Sequence, residues 1–596
     1  MNVLINALIR EENTKNTQWE RDEKEKEKEK EKEKEKEKNT KLHFNIERFY
    51  KSPLSFLPSL DVSVLHQSVK NDIELPLIYD IITDNTKIHE LLPNDLLDSI
   101  TTNTDYLCDT KQVIEGMEKF PTVNTSLQKD IIRIWNDTID NPFFTVNSVY
   151  ITLEDFQFLN KSTTYLQCHS MMCLCSPYIN TLYLVSNVLY SLFFKTYLFF
   201  LDNRITFTSI CTSIISGLLF IFQFYKHIQS YFELFEIMKN TNENLLQLCT
   251  FCTQTIQQMT QFCDQNEKRT SYSSFCQKLR SVVHQLSHFQ ETNLQHISLL
   301  LWNTKTYTNL GYILKAYYVV TTDTLFRELF ATSIGFYAHI NVLRYIYEKS
   351  QHGKLHSVEL EDSGPGNHLS LKEQYYSPHS SSNVVSNDVH LVNKNMILTG
   401  PNASGKTTIL KSVTINIILA QQFGYAYCQG GKISPYKFIH SYLNIPDTSG
   451  RDSLFQAESR RCKTIIDSIQ ENKKDRHFCI FDELYSGTNP EEASRAAISY
   501  ISYLQKQSNV TFMLTTHYHN ICECVNNQEK ESVAVGNYHM NVVNENNTYI
   551  NTYQLLEGIS MDRNGTYQIF ADLQYPSSIL HSLLELYQES KNTKSM

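Results

Sequence analysis

The chain has 596 residues, 41% hydrophobic and 12% aromatic, with a formal charge of −10. That length accommodates roughly three or four domains with several hydrophobic cores, and an acidic chain does not grip nucleic acid through its overall field, so any DNA contact has to be local. Its 14 cysteines are scattered through apolar segments without the spacing of a small scaffold, which excludes a disulfide framework and fits a reducing compartment.

Residues 1–40 carry an alternating Glu-Lys run from Glu23 to Lys38. Its charges cancel and it cannot bury apolar area, so a solvated tether or a frayed charged helix is expected. The first 19 residues lack the apolar core of a secretory signal. Over 41–175, apolar residues recur at helical spacing, as in 75–83 and 107–117, with breaks near Pro93, Pro121 and Pro142, which predicts a helical domain.

Residues 176–227 form an apolar hairpin. The run 178–201 is apolar apart from Lys195 and a few polar residues, 205–225 continues it, and only Asp202, Asn203 and Arg204 interrupt. Each run is long enough as a helix to span a hydrocarbon core of about 30 Å, so a transmembrane hairpin through 178–225 is expected. Asn180, Asn187 and Lys195 support the other reading, two long helices buried in a helical core or dimer interface. From 228 to 362 the chain is polar-amphipathic and poor in Pro and Gly, which predicts long helices, whether coiled-coil arms or core. A Gly/Ser/Asn-rich stretch, 363–390, then reads as a linker into a final domain, 391–596.

That domain opens on chemistry. The β-favouring run from Asn395 to Thr399 enters Gly400-Pro401-Asn402-Ala403-Ser404-Gly405-Lys406-Thr407-Thr408, and a helix-compatible segment follows. The spacing is that of a phosphate-binding loop in its strand-loop-helix setting. Gly400 and Gly405 permit backbone angles closed to other residues, so N–H groups can converge on phosphate oxygens beside a positive helix terminus. Lys406 can reach the β- and γ-phosphates of ATP, and the Thr407 hydroxyl is placed to ligate Mg2+.

Two further strands complete the pattern. Phe478 to Phe481 ends in Asp482-Glu483, where Asp482 can hold Mg2+ and Glu483 can orient or deprotonate the attacking water. The strand from Val510 to Thr515 ends at Thr516-His517, and a histidine at a strand's carboxyl end can sense a γ-phosphate or position water. His517, His519, Cys522 and Cys524 can be drawn as a metal cluster, but His517 has this better use. Cys249 and Cys252, and Cys168, Cys173 and Cys175, read as core cysteines because no matching second pair exists.

The three motifs together resemble the ATPase domain of the MutS DNA mismatch-repair family, a branch of the ABC-type ATPases. The likeness covers about 394–567. The family loop has a methionine and a glycine where this chain has Ala403 and Ser404. Ser453, Phe455 and Glu458 are similar to the family's signature, S-x-F-x-x-E. The resemblance implies that Ser453 faces the nucleotide of an opposing subunit, so that a homodimer or heterodimer builds composite sites. It also implies that Asn402 helps position the nucleotide and that Gly487 and Thr488 border the dimer interface. Asn564 to Tyr567 is similar to the family's C-terminal segment, and Tyr376 is a candidate for the adenine-stacking aromatic.

On that resemblance the expected fold is α + α/β: a long-helix core and lever region, then a P-loop α/β ATPase domain, with the hairpin between core and lever. No segment resembles the family's mismatch-reading N-terminal domain with its Phe-x-Glu wedge, so a short form is expected. The expected function is an ATPase that clamps mismatched or branched double-stranded DNA in repair or recombination, inside the cell, in nucleus or cytoplasm. The alternative is a membrane-anchored relative without mismatch specificity. A small-molecule kinase would share the phosphate loop but would not require Ser453 or His517, and two apolar runs are few for a transporter.

Overall fold

The computed structural model describes residues 46–585, apart from 122–124, 140–149, 203–206, 296, 298–308, 362–365, 378–383, 444, 446–452, 527–532, 546–547, 560–566, 568–569, 572 and 584. The charged segment 1–40 and Asn564 lie outside the described residues. Two compact units interleave in sequence: one takes 1–50, 124–264 and 278–337, the other 51–123, 265–277 and 338–596.

The described part of the first unit is helical. Its core is aromatic: Trp135 stacks on Phe330 at 6.0 Å, Phe289 on Phe326 at 4.3 Å, and Phe251 meets Phe330 edge-on at 5.6 Å. Such rings bury large apolar areas in preferred offset or edge geometries. The helix Leu310–Thr322 packs on the start of Thr163–Asp202. There Gly311 donates its N–H to Gln167 Oε1 at 2.8 Å, and a Cβ at Gly311 would lie 2.3 Å from the Thr163 carbonyl oxygen. Only glycine lets the two backbones approach so closely.

The apolar hairpin requires a correction. Among the described residues no helix is long and apolar enough to cross a membrane, so the transmembrane hairpin is not supported. The two runs belong to helices of 40 and 60 residues, Thr163–Asp202 and Phe207–Asn266. At 1.5 Å per residue these extend about 60 and 90 Å, far past a hydrocarbon core. Lys195 and Asn187 interrupt the first run, and the second helix continues into the polar stretch of Glu233, Glu236 and Lys239. The turn 203–206 and many side chains of both runs are outside the described residues. Those described, such as Tyr183, Phe193, Leu219 and Phe222, are exposed, so burial within a helical core does not account for them either.

The second unit carries two large sheets besides a two-stranded antiparallel pair, Val62–Val64 with Ser99–Thr101. The elements that build the two large sheets and position the site are β1 (His356–Leu360), β2 (His368–Gln374), β3 (Asn387–Val392), β4 (Lys394–Thr399), α1 (Lys406–Phe423), β5 (Tyr425–Ala426), β6 (Gly430–Ile433), β7 (Phe438–Tyr442), α2 (Leu454–Glu471), β8 (His477–Asp482), α3 (Pro490–Gln505), β9 (Val510–Thr515), β10 (Ala534–Glu545) and β11 (Thr548–Glu557). A six-stranded sheet has the order β11-β10-β4-β9-β8-β7, and a five-stranded one the order β3-β2-β6-β1-β5. In the larger sheet every pair is parallel except β10 with β11. Its central strands are continuous apolar runs, Met396 to Leu398 and Phe478 to Phe481, all fully buried. A parallel sheet covered on both faces demands this.

The stretch 363–390, expected as a linker, instead supplies β2 and the start of β3. Leu369 and Leu371 are buried while His368 and Ser370 between them are only half-buried. That two-residue alternation is a strand signal, which the Gly/Ser-rich surroundings outweighed.

Helix α1 is buried almost throughout, between the left-handed glycines Gly405 and Gly424. Its buried Gln421 and Gln422 satisfy the earlier segment of the unit: Gln421 donates to the Thr101 and Tyr436 carbonyls, and Gln422 to those of Leu97 and Ser99. Tyr79 donates to Gln422 Oε1 at 2.8 Å. Residues 51–123 thus share the unit of the phosphate loop through buried polar pairs, which are costly to leave half made.

Replacing Gly311 by alanine pushes a methyl into a backbone, and overpacking of this kind costs about 1–3 kcal/mol. A lowered urea midpoint with unchanged m-value is the expected readout; an unaltered midpoint would mean the two helices can separate freely.

Candidate nucleotide site

Three neighbouring strands place the site. Strand β9 lies between β4 and β8, with Thr515 in register with Leu398 on one side and Asp482 on the other. Just past their carboxyl ends, Thr516 N–H donates to Leu398 O at 3.1 Å and Glu483 N–H to Thr515 O at 3.1 Å. The three loops that leave these strands are therefore tied side by side, at the edge where α/β sheets take ligands.

The phosphate loop leaves β4. Its backbone is left-handed at Ala403 (φ 60°) and Gly405 (φ 95°), and Ser404 Oγ donates to Pro401 O at 2.8 Å. Lys406, nearly buried, donates from Nζ to Gly400 O at 3.0 Å and Pro401 O at 3.1 Å. Burial lowers its proton affinity, while Glu483 and Asp482 act in the opposite direction.

Thr407 Oγ1 donates to Asp482 Oδ2 at 2.7 Å, and Thr515 Oγ1 donates to the other carboxylate oxygen. Hydroxyl and carboxylate are hard oxygens, and Mg2+ commonly takes one or two such protein groups and completes its shell with phosphate and water. This donor pair fits that ion. Among the described residues no three His, Cys, Asp or Glu side chains gather as a metal cage, and a Mg2+ shared with phosphates does not require one.

Glu483 carries a strained backbone, φ 52°, of a kind that concentrates at functional sites. Its Oε1 lies 2.8 Å from His517 Nε2. That hydrogen bond, opposed by burial and helped by the charges of His517 and Lys406, holds the carboxyl below its usual range. The same Nε2 is 3.2 Å from Lys406 Nζ. One ring nitrogen cannot donate to the acid and accept from the amine at once, so these two contacts compete.

A cavity of about 510 Å³ opens on this group. Asn402, Ala403, Gly405, Lys406, Thr407, Thr408 and Glu483 line it, together with Tyr376 from the chain before the loop. Val384, Val385, Met540 and Tyr553, none of them legible in the motifs, also line it, beside the polar Gln374, Asn387 and Ser412. Tyr553, on β11, is left-handed (φ 58°) and its ring lies 3.2 Å from where a Gly405 Cβ would stand. Apolar and aromatic walls beside a polar phosphate cradle suit a nucleotide. A tyrosine at φ > 0 leaves no mark in strand patterning.

Ser453 stands apart from that cavity. It is exposed and caps α2, accepting from Gln456 N–H at 3.4 Å, while Gln456 Oε1 accepts from Ser453 N–H at 3.1 Å. Ser449 to Asp452 before it lie outside the described residues. Gly487 packs on the first turn of α2, 2.9 Å from a Cβ position to Phe455 N, and Thr488 Oγ1 donates to Glu492 at 3.0 Å.

Residues 396–590 match the family described as MutS domain V. Over 184 residues the chain is 30% identical to the endonuclease MutS2 of Agathobacter rectalis, which covers 30% of this chain and 23% of that protein. Over 165 residues it is 28% identical to the DNA mismatch repair protein MutS of Persephonella marina, covering 28% of this chain and 18% of that one. The MutS2 of Streptococcus mutans is 32% identical over 140 residues, 23% of this chain and 18% of the relative. The matches thus span a quarter or less of these relatives. The MutS resemblance read from the three motifs is borne out over the C-terminal part of the chain.

Lys406→Ala removes a charge-assisted contact of about 1.5–3 kcal/mol, so ATP affinity should fall roughly 10- to 100-fold. Titration with a fluorescent ATP analogue reads it; unchanged affinity would place the phosphates elsewhere.

Proposed function

On the premise that residues 396–590 form a MutS-type domain V, we propose that the chain is a dimeric, Mg2+-dependent ATPase that clamps double-stranded DNA, mismatched or branched, in mismatch repair or recombination. One observation carries the reading: Lys406, Thr407, Asp482, Glu483 and His517 meet at three adjacent strand ends beside the cavity. A small-molecule kinase needs no glutamate-histidine pair next to its phosphate loop.

In this reading the loop N–H groups from Asn402 to Thr408 and the amino end of α1 receive the phosphates. Lys406 exchanges its contacts with Gly400 O and Pro401 O for phosphate oxygens. Mg2+ supplies neutralisation of the charge that develops between the β- and γ-phosphates. Thr407 and Asp482 would hold that ion when bound, and Thr515 donates to the Asp482 carboxylate. Glu483 draws a proton from the attacking water, and its depressed proton affinity keeps it in the carboxylate form needed to accept one. His517 orients Glu483 and faces the γ-phosphate. Tyr376 and Tyr553 flank the base, with Val384, Val385 and Met540 completing its apolar walls.

Ser453 serves a second copy or a related chain. Its hydroxyl caps a helix whose amino end is exposed, so that end is available to the γ-phosphate of an opposing subunit. ATP would then close two composite sites and the clamp with them. The nuclease activity named for the MutS2 relatives is not carried over, because the match takes in only 23% of the Agathobacter protein.

Glu483→Gln keeps shape and removes the base. Turnover should fall by about 10²–10⁴ with ATP affinity retained; a rate near wild type in a steady-state phosphate-release assay would remove Glu483 from that role. The DNA half of the proposal is tested by binding homoduplex, mismatched and branched DNA at one salt concentration, with and without ATP. ATP-dependent preference for one of the latter two is expected, and equal, negligible binding to all three would end the clamp reading.

A further inference from the structure

Glu458 lies in the second turn of α2 and is 2% exposed. Acidic side chains are rarely buried so completely without a charged partner. Its hydrogen-bond partners are uncharged: Ser486 Oγ donates to Oε1 at 3.1 Å and Gly487 N–H donates to Oε2 at 3.2 Å. The Tyr442 oxygen accepts from Tyr485 N–H at 3.1 Å. One buried carboxylate thus holds the Ser486 side chain and the Gly487 backbone, while the Tyr442 hydroxyl holds the backbone of Tyr485, the residue before them.

That segment follows Glu483 immediately, and it is strained. Glu483 and Tyr485 are both left-handed, at φ 52° and 60°, a state that costs of order 1 kcal/mol or more per residue and persists only where the surroundings over-determine it. The surroundings here are the first turns of α2. Gly487 leaves no room for a Cβ against Leu454 Cγ (2.8 Å) and Phe455 N (2.9 Å), and the Phe455 and Tyr485 rings meet at 5.8 Å. Leu454 and Phe455 are the two residues after Ser453.

We infer that Glu458 is a positioning residue: it locks the strained turn carrying Glu483 to the helix capped by Ser453, so that engagement of Ser453 and the aim of the base are mechanically one event. The assignment rests on the ATPase reading above. It requires no contact between Glu458 and nucleotide. A displacement at the amino end of α2, where the partner's phosphate would bind, passes through Glu458 and Gly487 to Glu483. Hydrolysis in one site is thereby sensitive to ligation in the other.

The test uses the full chain and separates binding from turnover. Glu458→Ala should lower kcat about tenfold or more while ATP affinity stays within about threefold, since the donors lose their acceptor but no phosphate contact is removed. Glu458→Gln keeps the volume and one carbonyl acceptor, so its kcat should fall between the two. In the Glu483→Gln background, Glu458→Ala should produce no further loss, because a residue acting through the base has nothing left to position. A kcat within twofold of wild type for Glu458→Ala, or losses that multiply in the double variant, would overturn the assignment. If Glu458→Ala fails to give a cooperative thermal transition, Glu458→Gln decides alone: reduced kcat with retained ATP affinity supports it and a wild-type kcat overturns it. Wild-type protein that hydrolyses no ATP under the same conditions would instead defeat the parent reading.

Discussion

The structure depends on the register of three parallel strands. Because β4, β9 and β8 end level, the loops leaving them are tied laterally by Thr516 N–H to Leu398 O and Glu483 N–H to Thr515 O. The Asp482 carboxylate then stands between two threonine hydroxyls, Thr407 and Thr515, one from each neighbouring loop or strand. A one-residue slip would turn each of these side chains to the opposite face of the sheet. Register is held by the fully buried runs that precede the loops, so the apolar core of the sheet determines the polar geometry at its edge.

That rigidity allows strain to be stored. Ala403, Glu483, Tyr485 and Tyr553 are all left-handed without being glycine, and three of them line or follow the walls of one cavity. Such residues are uncommon singly and would relax in a loose loop. Each has a neighbour that prevents relaxation: the phosphate loop closes on itself through Ser404 and Pro401, Glu483 N–H is held by Thr515 O at 3.1 Å, Tyr485 is held by the Tyr442 hydroxyl, and the Tyr553 carbonyl accepts from Asn387 Nδ2 at 3.0 Å.

Sequence exposed these parts unequally, for physical reasons. Phosphate chemistry prescribes residue types at fixed spacing, so Gly400 to Thr408, Asp482-Glu483 and His517 were legible, and the structure brings them together apart from Ser453, which stands on another helix. Tyr553, Val384 and Met540 were not, because a base needs only apolar surface, which any strand can present. The helical unit left even less of a signature. Its helices must satisfy a period and a volume, so many sequences suit, and the family match covers 396–590 instead. The apolar runs at 178–225 suggested membrane spans by length and apolarity; they lie within helices of 40 and 60 residues, and among the described residues no helix is long and apolar enough to cross a membrane.

His517 shows how little slack such a site contains. Its Nε2 lies 2.8 Å from a carboxylate and 3.2 Å from an ammonium. With a proton on that nitrogen the ring serves Glu483 and repels Lys406; with the proton on the other nitrogen it accepts from Lys406 and leaves Glu483 without its donor. Lys406 has carbonyl alternatives at Gly400 and Pro401, and the ring's contact with Glu483 is the shorter of the two. The tautomer that serves the acid is therefore favoured. Drawing Lys406 away from the ring would strengthen that choice by removing the competing contact.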